Sequence, residues 1–455
     1  MTEAATGLGE SPNPTVAPTA GEVPGFSLVQ PVSAGAADLA WSVLPQVAMM
    51  LLGHSVSDRS GLAALRERVR NHARSIAPRV GPALTRVGPV LVVDTSVQTE
   101  RVTAPLIGEL ASRHGEPEHP RLAPLGVNAI RGALQNVRRV ERNLRDAMSI
   151  AGVTVPLGLR DELLKVEIVR RRFASARLHL AGVDAILVGS QQNGPTRALL
   201  SVARHQQIAS YYLPHAPMAD NAFYHDLPTN WALLRGDAEA SFYRDLGAMP
   251  AERLAVVGSP DEPVSRTAPS ASDHVVYAPS PHSPQVLRAD IDVIRCALED
   301  PIRVSLHPRM RSPEYLQLFP AEWVIVDAPN TSTYLREHGA KAVIQHGSGV
   351  GLEALALGLE VIDLCHHEER PNYPYITGPL VQVVHDANGL RVAMDALPLR
   401  SDQRDERIAH ARSWCTEPSE DIAKTIVDII ERTSTSTGPG EVLLDGWSRY
   451  LGDGK

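Results

Sequence analysis

The sequence predicts an α/β protein built from two doubly wound domains that face each other across a cleft. Three observations predict it. Short apolar runs of strand length alternate with helical segments, first from 87 to 258 and again from 274 to 384. A polar stretch rich in Pro and Ser, Pro260 to Asp273, separates the two series and reads as a linker. The chain has 455 residues, too many for one ordinary domain. Strands alternating with helices give a parallel sheet covered on both faces. Ligands of such sheets bind beyond the carboxyl ends of the strands.

The elements follow in order. Residues 1–30 are rich in Pro, Gly, Ala and Thr, have no apolar period, and are expected to be disordered. The first domain runs over 31–262, the second over 263–432, and a tail over 433–455. Ala36 to Gly53 carries Leu39, Trp41, Leu44, Val47, Met49, Leu51 and Leu52 but is interrupted by Asp38, Pro45 and Gln46. It is marginal in length for a membrane span and reads as a packed helix; a helix lying on a membrane surface is the second reading. The N-terminus lacks the basic start of a conventional signal peptide.

The first buried strand is Val87 to Asp94, followed by a turn at Thr95-Ser96 and a helix from Arg101 to His114. A long helical region, Val127 to Ala181, breaks near Gly152 to Pro156. It carries Arg138, Arg139, Arg142 and Arg145, then Arg170, Arg171 and Arg172, which read as a solvated face diluted by Glu141 and Asp146; a role toward an acidic acceptor or a membrane is the alternative. Further strands are expected at 185–189, 208–213, 232–234 and 254–258, with a helix from Thr196 to His205. The second series places strands at 274–278, 303–306, 323–326, 342–344, 361–364 and 381–384. From Thr433 a Ser/Thr/Gly/Pro linker leads to the apolar end Val442-Leu443-Leu444 and Trp447, a tail able to cross back to the first domain.

Composition excludes some functions. The net charge of −8, from 44 basic and 52 acidic residues, argues against a general nucleic-acid binder. Only four of the basic residues are Lys, the usage of a high-GC genome such as an actinobacterium's. The cysteines Cys296, Cys365 and Cys415 have neither zinc nor disulfide spacing, so a reducing cytoplasm is expected. No Walker A lysine and no GxGxxG turn of a nicotinamide binder is present.

One turn carries the chemistry. The apolar run Ala342-Val343-Ile344 ends in Gln345-His346-Gly347-Ser348-Gly349-Val350-Gly351 and continues as the helical pattern Leu352 to Leu357, closed by Gly358. A strand–turn–helix unit of this kind aims backbone N–H groups and a positive helix end at one place, which suits a phosphate. Glu353, about one turn in, can reach sugar hydroxyls. The alternative is a tight turn whose glycines serve only geometry. The next strand, Val361 to Leu364, leads into His366-His367-Glu368-Glu369-Arg370-Pro371-Asn372.

This block resembles the donor-binding half of GT-B glycosyltransferases, two Rossmann-like domains about a cleft. It also shares features with capsule polymerases, glycerophosphotransferases and UDP-GlcNAc 2-epimerases. The resemblance covers about a tenth of the chain. It implies that His346 and the backbone of Gly347, Ser348, Gly349 and Val350 hold a pyrophosphate, that Glu353 binds ribose, and that Glu369 and Asn372 bind the transferred sugar. Two departures stand out. His346 and Glu353 are seven residues apart, one fewer than in the antibiotic and plant-type pattern, and Glu369-Arg370 replaces the usual Asp-Gln pair.

Other strand ends supply candidates. Pro214-His215-Ala216-Pro217 follows a strand, and a neutral His215 there can take a proton from an acceptor hydroxyl; a His satisfying a loop carbonyl is the alternative. Asp94 is the competing base, or else a helix cap. His307 and Arg309 follow the strand ending at Leu306 and can neutralise a diphosphate leaving group. Ser280 and Ser283 read as helix caps or phosphate ligands. Asp290-Ile291-Asp292 lies in a helical pattern, so its side chains diverge and no metal pair is expected.

The resulting expectation is a metal-independent, inverting glycosyltransferase with no cofactor. Its partners would be a nucleotide-sugar donor and a hydroxyl acceptor that is a small molecule, a glycan or lipid-linked. It would be cytoplasmic, with association to the inner membrane face as a further option. A glycerophosphotransferase or capsule-type polymerase, a sugar-nucleotide epimerase, and a non-catalytic scaffold are the alternatives.

Overall fold

The computed structural model describes Leu39, Ser42, Val43 and residues 82–434 except 123, 151–154, 156–157, 176–179, 192, 221–223, 225–226, 261–271, 308–309, 326–329, 366–372, 377 and 417–420. The expected disorder of 1–30 and nearly all of the tail lie outside the described residues.

The first sheet has six strands in the order β1 (Ala83–Val87), β2 (Val90–Asp94), β3 (Ala185–Val188), β4 (Ala209–Tyr212), β5 (Trp231–Leu234) and β6 (Leu254–Val256). β1 is antiparallel to β2 and the rest are parallel. The single strand expected over Val87 to Asp94 is thus a hairpin. Pro89 has no N–H for a ladder, and Gly88 takes φ +56°, so the chain turns there.

Described helices in this half are α1 (Val97–His114), α2 (Val127–Ile150), α3 (Leu159–Ser175), α4 (Gly194–His205) and α5 (Asp237–Asp245). α1 starts four residues before the expected Arg101 because Ser96 caps it: the Ser96 hydroxyl accepts the Thr99 N–H at 3.2 Å, and Thr99 returns the bond to the Ser96 N–H at 3.0 Å.

Strands β2 to β6 follow one another in sequence order. Right-handed crossovers then stack most of their helices on one face. The core on that face takes side chains from α2, α3, α4 and α5, and Leu39 and Val43, which are helical, are buried in it. The opposite face is covered by α1 and by the last described helix, Ile422–Ser434, through Ile422, Ile426, Val427 and Ile430. This helix falls in the range assigned to the second domain from sequence, yet packs on the first sheet. Arg113 of α1 ties it there, reaching Asp428 at 2.7 Å and Glu431 at 2.8 Å.

The second sheet is wholly parallel, in the order β11 (Val381–Val384), β10 (Val361–Leu364), β9 (Ala342–His346), β7 (Val275–Pro279), β8 (Ile302–Val304). Its helices are α6 (Pro284–Ala297), α7 (Pro313–Leu316), α8 (Thr331–His338), α9 (Val350–Ala356), α10 (Ala387–Asp395) and α11 (Arg404–Trp414); the returning helix is α12. α6 and α10 cover one face and α8, α9 and α11 the other. The strand expected at Trp323–Val326 is reduced to one bridge, Val304 to Val324, after a short 3-10 turn. No described helix is long and apolar enough to cross a membrane.

Candidate active site

Strand order reverses between β7 and β9: β8 lies on one side of β7, and β9, β10 and β11 lie on the other. The crevice at such a reversal is where open α/β sheets bind ligands. Here it is bounded by Ser280, just past β7, and by His346 and Gly347 at the end of β9. The Ser280 N–H donates to the His346 carbonyl at 3.1 Å, and its hydroxyl donates to the Gly347 carbonyl. Ser280 therefore locks the turn, while Ser283 is the N-cap of α6.

The turn is wired from beneath. Gln345 is fully buried; its Nε2 donates to Asp363 at 2.9 Å, and its Oε1 accepts the Gly351 N–H at 2.8 Å and the Tyr375 hydroxyl at 3.1 Å. A Cβ at Gly351 would sit 2.8 Å from the Tyr375 oxygen, so only glycine fits. Gly347 has φ +55°, and its N–H points to Asp363 at 3.4 Å. The Val350 N–H meets the Ser348 hydroxyl at 3.4 Å, so three of the turn's N–H groups are used internally. Those of Ser348 and Gly349 have no acceptor among the described residues.

His346 is 3% exposed, and its Nδ1 lies 3.0 and 3.2 Å from the two oxygens of Asp290. Asp290 is fully buried and also accepts the Tyr277 hydroxyl. The His282 ring lies against His346 at 4.1 Å between centroids, and His282 Nε2 donates to the His346 carbonyl at 3.1 Å.

Glu353 is half-buried and accepts the Ser332 hydroxyl from α8. Its charge also reaches Arg235, at the end of β5. Burial alone would lower the Arg235 pKa; Cys415, Glu239, Tyr212 and Glu353 outweigh it and raise it. His307 is half-buried beyond β8. Arg309, Glu369 and Asn372 lie outside the described residues.

The first half presents His215 and Asp94. His215 Nδ1 contacts the Gly189 carbonyl at 2.6 Å. A carbonyl only accepts, so Nδ1 carries the hydrogen and, in the neutral ring, Nε2 carries the lone pair. The two alternatives for this residue are therefore compatible: the carbonyl bond selects the tautomer a base needs. Asp94 is not the helix cap, a role Ser96 takes. It is buried and accepts the Thr103 hydroxyl at 2.9 Å, and burial raises its pKa.

The halves touch at this level. A Cβ on Gly349 would lie 2.9 Å from Cδ of Pro217, two residues after His215. Gly236 packs on the backbone of Trp414 and Cys415, and Thr416 N–H donates to the Arg235 carbonyl at 2.8 Å.

Sequence reasoning weighed Asp290 only as half of a metal pair and gave no role to His282 and Tyr277. Asp290 carried a readable signal: Leu287, Asp290, Ile291 and Ile294 form the buried stripe of α6, and a carboxylate in such a stripe needs a partner. Among the described residues no group of three or more His, Cys, Asp or Glu side chains is placed to hold a metal ion.

No protein-family model matches the chain, and no curated protein matches its sequence. Among solved structures it is similar to UDP-GlcNAc 2-epimerase from Neisseria meningitidis bound to UDP-GlcNAc. That match has a TM-score of 0.47 and 13% identity, over 74% of this chain and 98% of the other. It is similar to S. aureus MnaA in its UDP co-structure, with a TM-score of 0.45 and 11% identity over 75% and 95%. It is also similar to the wall teichoic acid polymerase TagF, with a TM-score of 0.37 and 12% identity over 55% and 78%. Two Rossmann-like halves in this order, with the last described helix returned to the first sheet, are the architecture that the resemblance to GT-B proteins implies.

Proposed function

We propose that the protein is a nucleotide-sugar-dependent glycosyltransferase acting by direct displacement. The observation that carries this reading is the contact between the His215 loop and the glycine-rich turn at Pro217 and Gly349. It sets a base-capable imidazole from one half beside backbone donors of the other.

In this reading the donor diphosphate takes the N–H groups of Ser348 and Gly349, with His346 and His307 offsetting its charge. Glu353 takes the ribose hydroxyls, and Glu369 and Asn372 take the sugar. The acceptor oxygen attacks the anomeric carbon as its proton passes to His215 Nε2. The bond from that carbon to the phosphate oxygen breaks, and the nucleoside diphosphate leaves with the electron pair. Attack opposite the leaving group inverts the configuration. Transfer of a phospho-alcohol unit would use the same donor contacts with attack at phosphorus.

A second reading, a sugar-nucleotide epimerase, is favoured by Asp94: a carboxyl with a raised pKa ends β2, at the same sheet edge as the β4 end that leads to His215, and epimerisation needs an acid and a base. The test is a thermal-shift screen of nucleoside diphosphates. A stabilising nucleotide names the donor class, because a ligand of the native state alone raises its stability. Incubation of the matching nucleotide sugar without acceptor then discriminates: altered sugar stereochemistry supports the epimerase, and turnover only with an added hydroxyl acceptor, unchanged in EDTA, supports the transferase. No binding of any nucleotide rejects both.

A further inference from the structure

The reading above gives no task to Asp290. We propose that Asp290 is a positioning residue that keeps His346 able to charge when a diphosphate arrives, so that donor binding takes up a proton and product release returns it. This rests on the reading of the turn as the diphosphate site.

The argument starts from α6. Its buried stripe is apolar except for Asp290, and a carboxylate with no exposed surface is kept only where donors meet it. The Tyr277 hydroxyl and His346 Nδ1 are among those that do, the latter within 3.0 and 3.2 Å of both oxygens. Because a carboxylate accepts, Nδ1 carries a hydrogen, and Nε2 is the position that gains or loses the proton.

The titratable groups at this end of β9 pull in opposite directions. Asp290 from α6 and Asp363 from β10 favour the imidazolium; burial of His346 and the stacked His282 ring, 4.1 Å away, oppose it. Tyr277 and Tyr375 are held neutral by burial, and Glu353 adds a negative charge farther along α9. A diphosphate adds negative charge on the side away from Asp290 and tips this balance toward the cation. Breaking the sugar–phosphate bond adds one more negative charge to the leaving nucleotide. The product is thus gripped more tightly than the donor until the proton returns to solvent.

Two measurements test this. In the ligand-free protein, NMR of nitrogen-labelled histidine should show the Nδ1–H tautomer at His346. Asp290→Asn should lower its titration midpoint by about one pH unit or more. In calorimetry with UDP as the probe, repeated in buffers of different ionisation enthalpy, the wild type should take up a proton. Its affinity should fall by up to about tenfold per pH unit above the His346 midpoint. Asp290→Asn and His346→Gln should lose both effects. Tyr277→Phe, which removes a different partner of the same carboxylate, should keep them and so reports any packing effect. An unchanged midpoint and unchanged proton uptake in a folded Asp290→Asn overturn the proposal. If the midpoint shifts but the wild type binds neither UDP nor any other nucleoside diphosphate, the diphosphate reading and the proton-uptake claim both fail, while the hold of Asp290 on His346 stands.

Discussion

Adding one methyl group at Gly349 probes the contact between the two halves directly. The new Cβ would lie 2.9 Å from Cδ and 3.2 Å from Cγ of Pro217. Both are ring atoms, and Pro214 and Pro217 stiffen the loop on either side of His215, so neither can swing aside. Restoring an ordinary carbon–carbon separation of about 3.5 Å moves one loop by roughly 0.6 Å. The ring clash is local, and Gly349 is not a positive-φ residue, so the fold should tolerate alanine. Catalytic geometry should not: displacements of about 1 Å cost on the order of 10²-fold in rate. Gly349→Ala should therefore lower turnover by about 10- to 100-fold at saturating substrates, while the melting temperature moves little. Pro217→Ala removes the offending ring carbons, so the double variant should recover most of the loss. The assay is a double-mutant cycle on turnover, with melting curves for each protein. Full turnover in Gly349→Ala, or no recovery in the double variant, refutes the claim that the two loops must meet at this distance.

Other outcomes follow from the same geometry. His215→Ala should cut turnover by about 10²–10⁴-fold while UDP affinity in calorimetry stays nearly intact; full turnover would move the role of base to Asp94. Asp94 has a raised pKa in the folded state, so its contribution to stability is present below the unfolded value and lost as pH rises through the folded one. Asp94→Asn should accordingly be at least as stable as the wild type at pH 7, with the advantage shrinking as pH falls toward 4, read from urea midpoints; a loss of stability at pH 7 would show that the carboxylate is needed charged. Ile426→Ala, at a fully buried position between α12 and the first sheet, should cost about 2–5 kcal/mol in denaturant unfolding. A cost below about 1 kcal/mol would mean that α12 does not complete that core.

The sheets were legible because parallel strands buried on both faces read as unbroken apolar runs. Val90–Asp94 and Ala342–His346 are buried at every position. The hairpin at Gly88-Pro89 was hidden by the same property, since apolar residues continue on both sides of the turn. The site was legible where it depends on local chain geometry, as at Gly347 and Gly351. It was not legible where it depends on contacts between distant segments. Nothing near His215 announces that the Gly189 carbonyl fixes its tautomer, and nothing near Gly349 announces Pro217. Asp290 lies between these cases: the helix period places it on the buried face of α6, but Tyr277 and His346 reach it from β7 and β9.

Helix α12 imposes an order on biosynthesis. The face of the first sheet that carries Val90, Val92, Leu187 and Leu233 is finished only by residues near the end of the described chain. A nascent chain emerging from the ribosome has made all of β2 to β6 long before α12 exists, whereas the second sheet has its own helices close behind it. Domains that fold as units during synthesis usually do so from the N-terminus. Here the first sheet keeps part of one apolar face bare until α12 has been made.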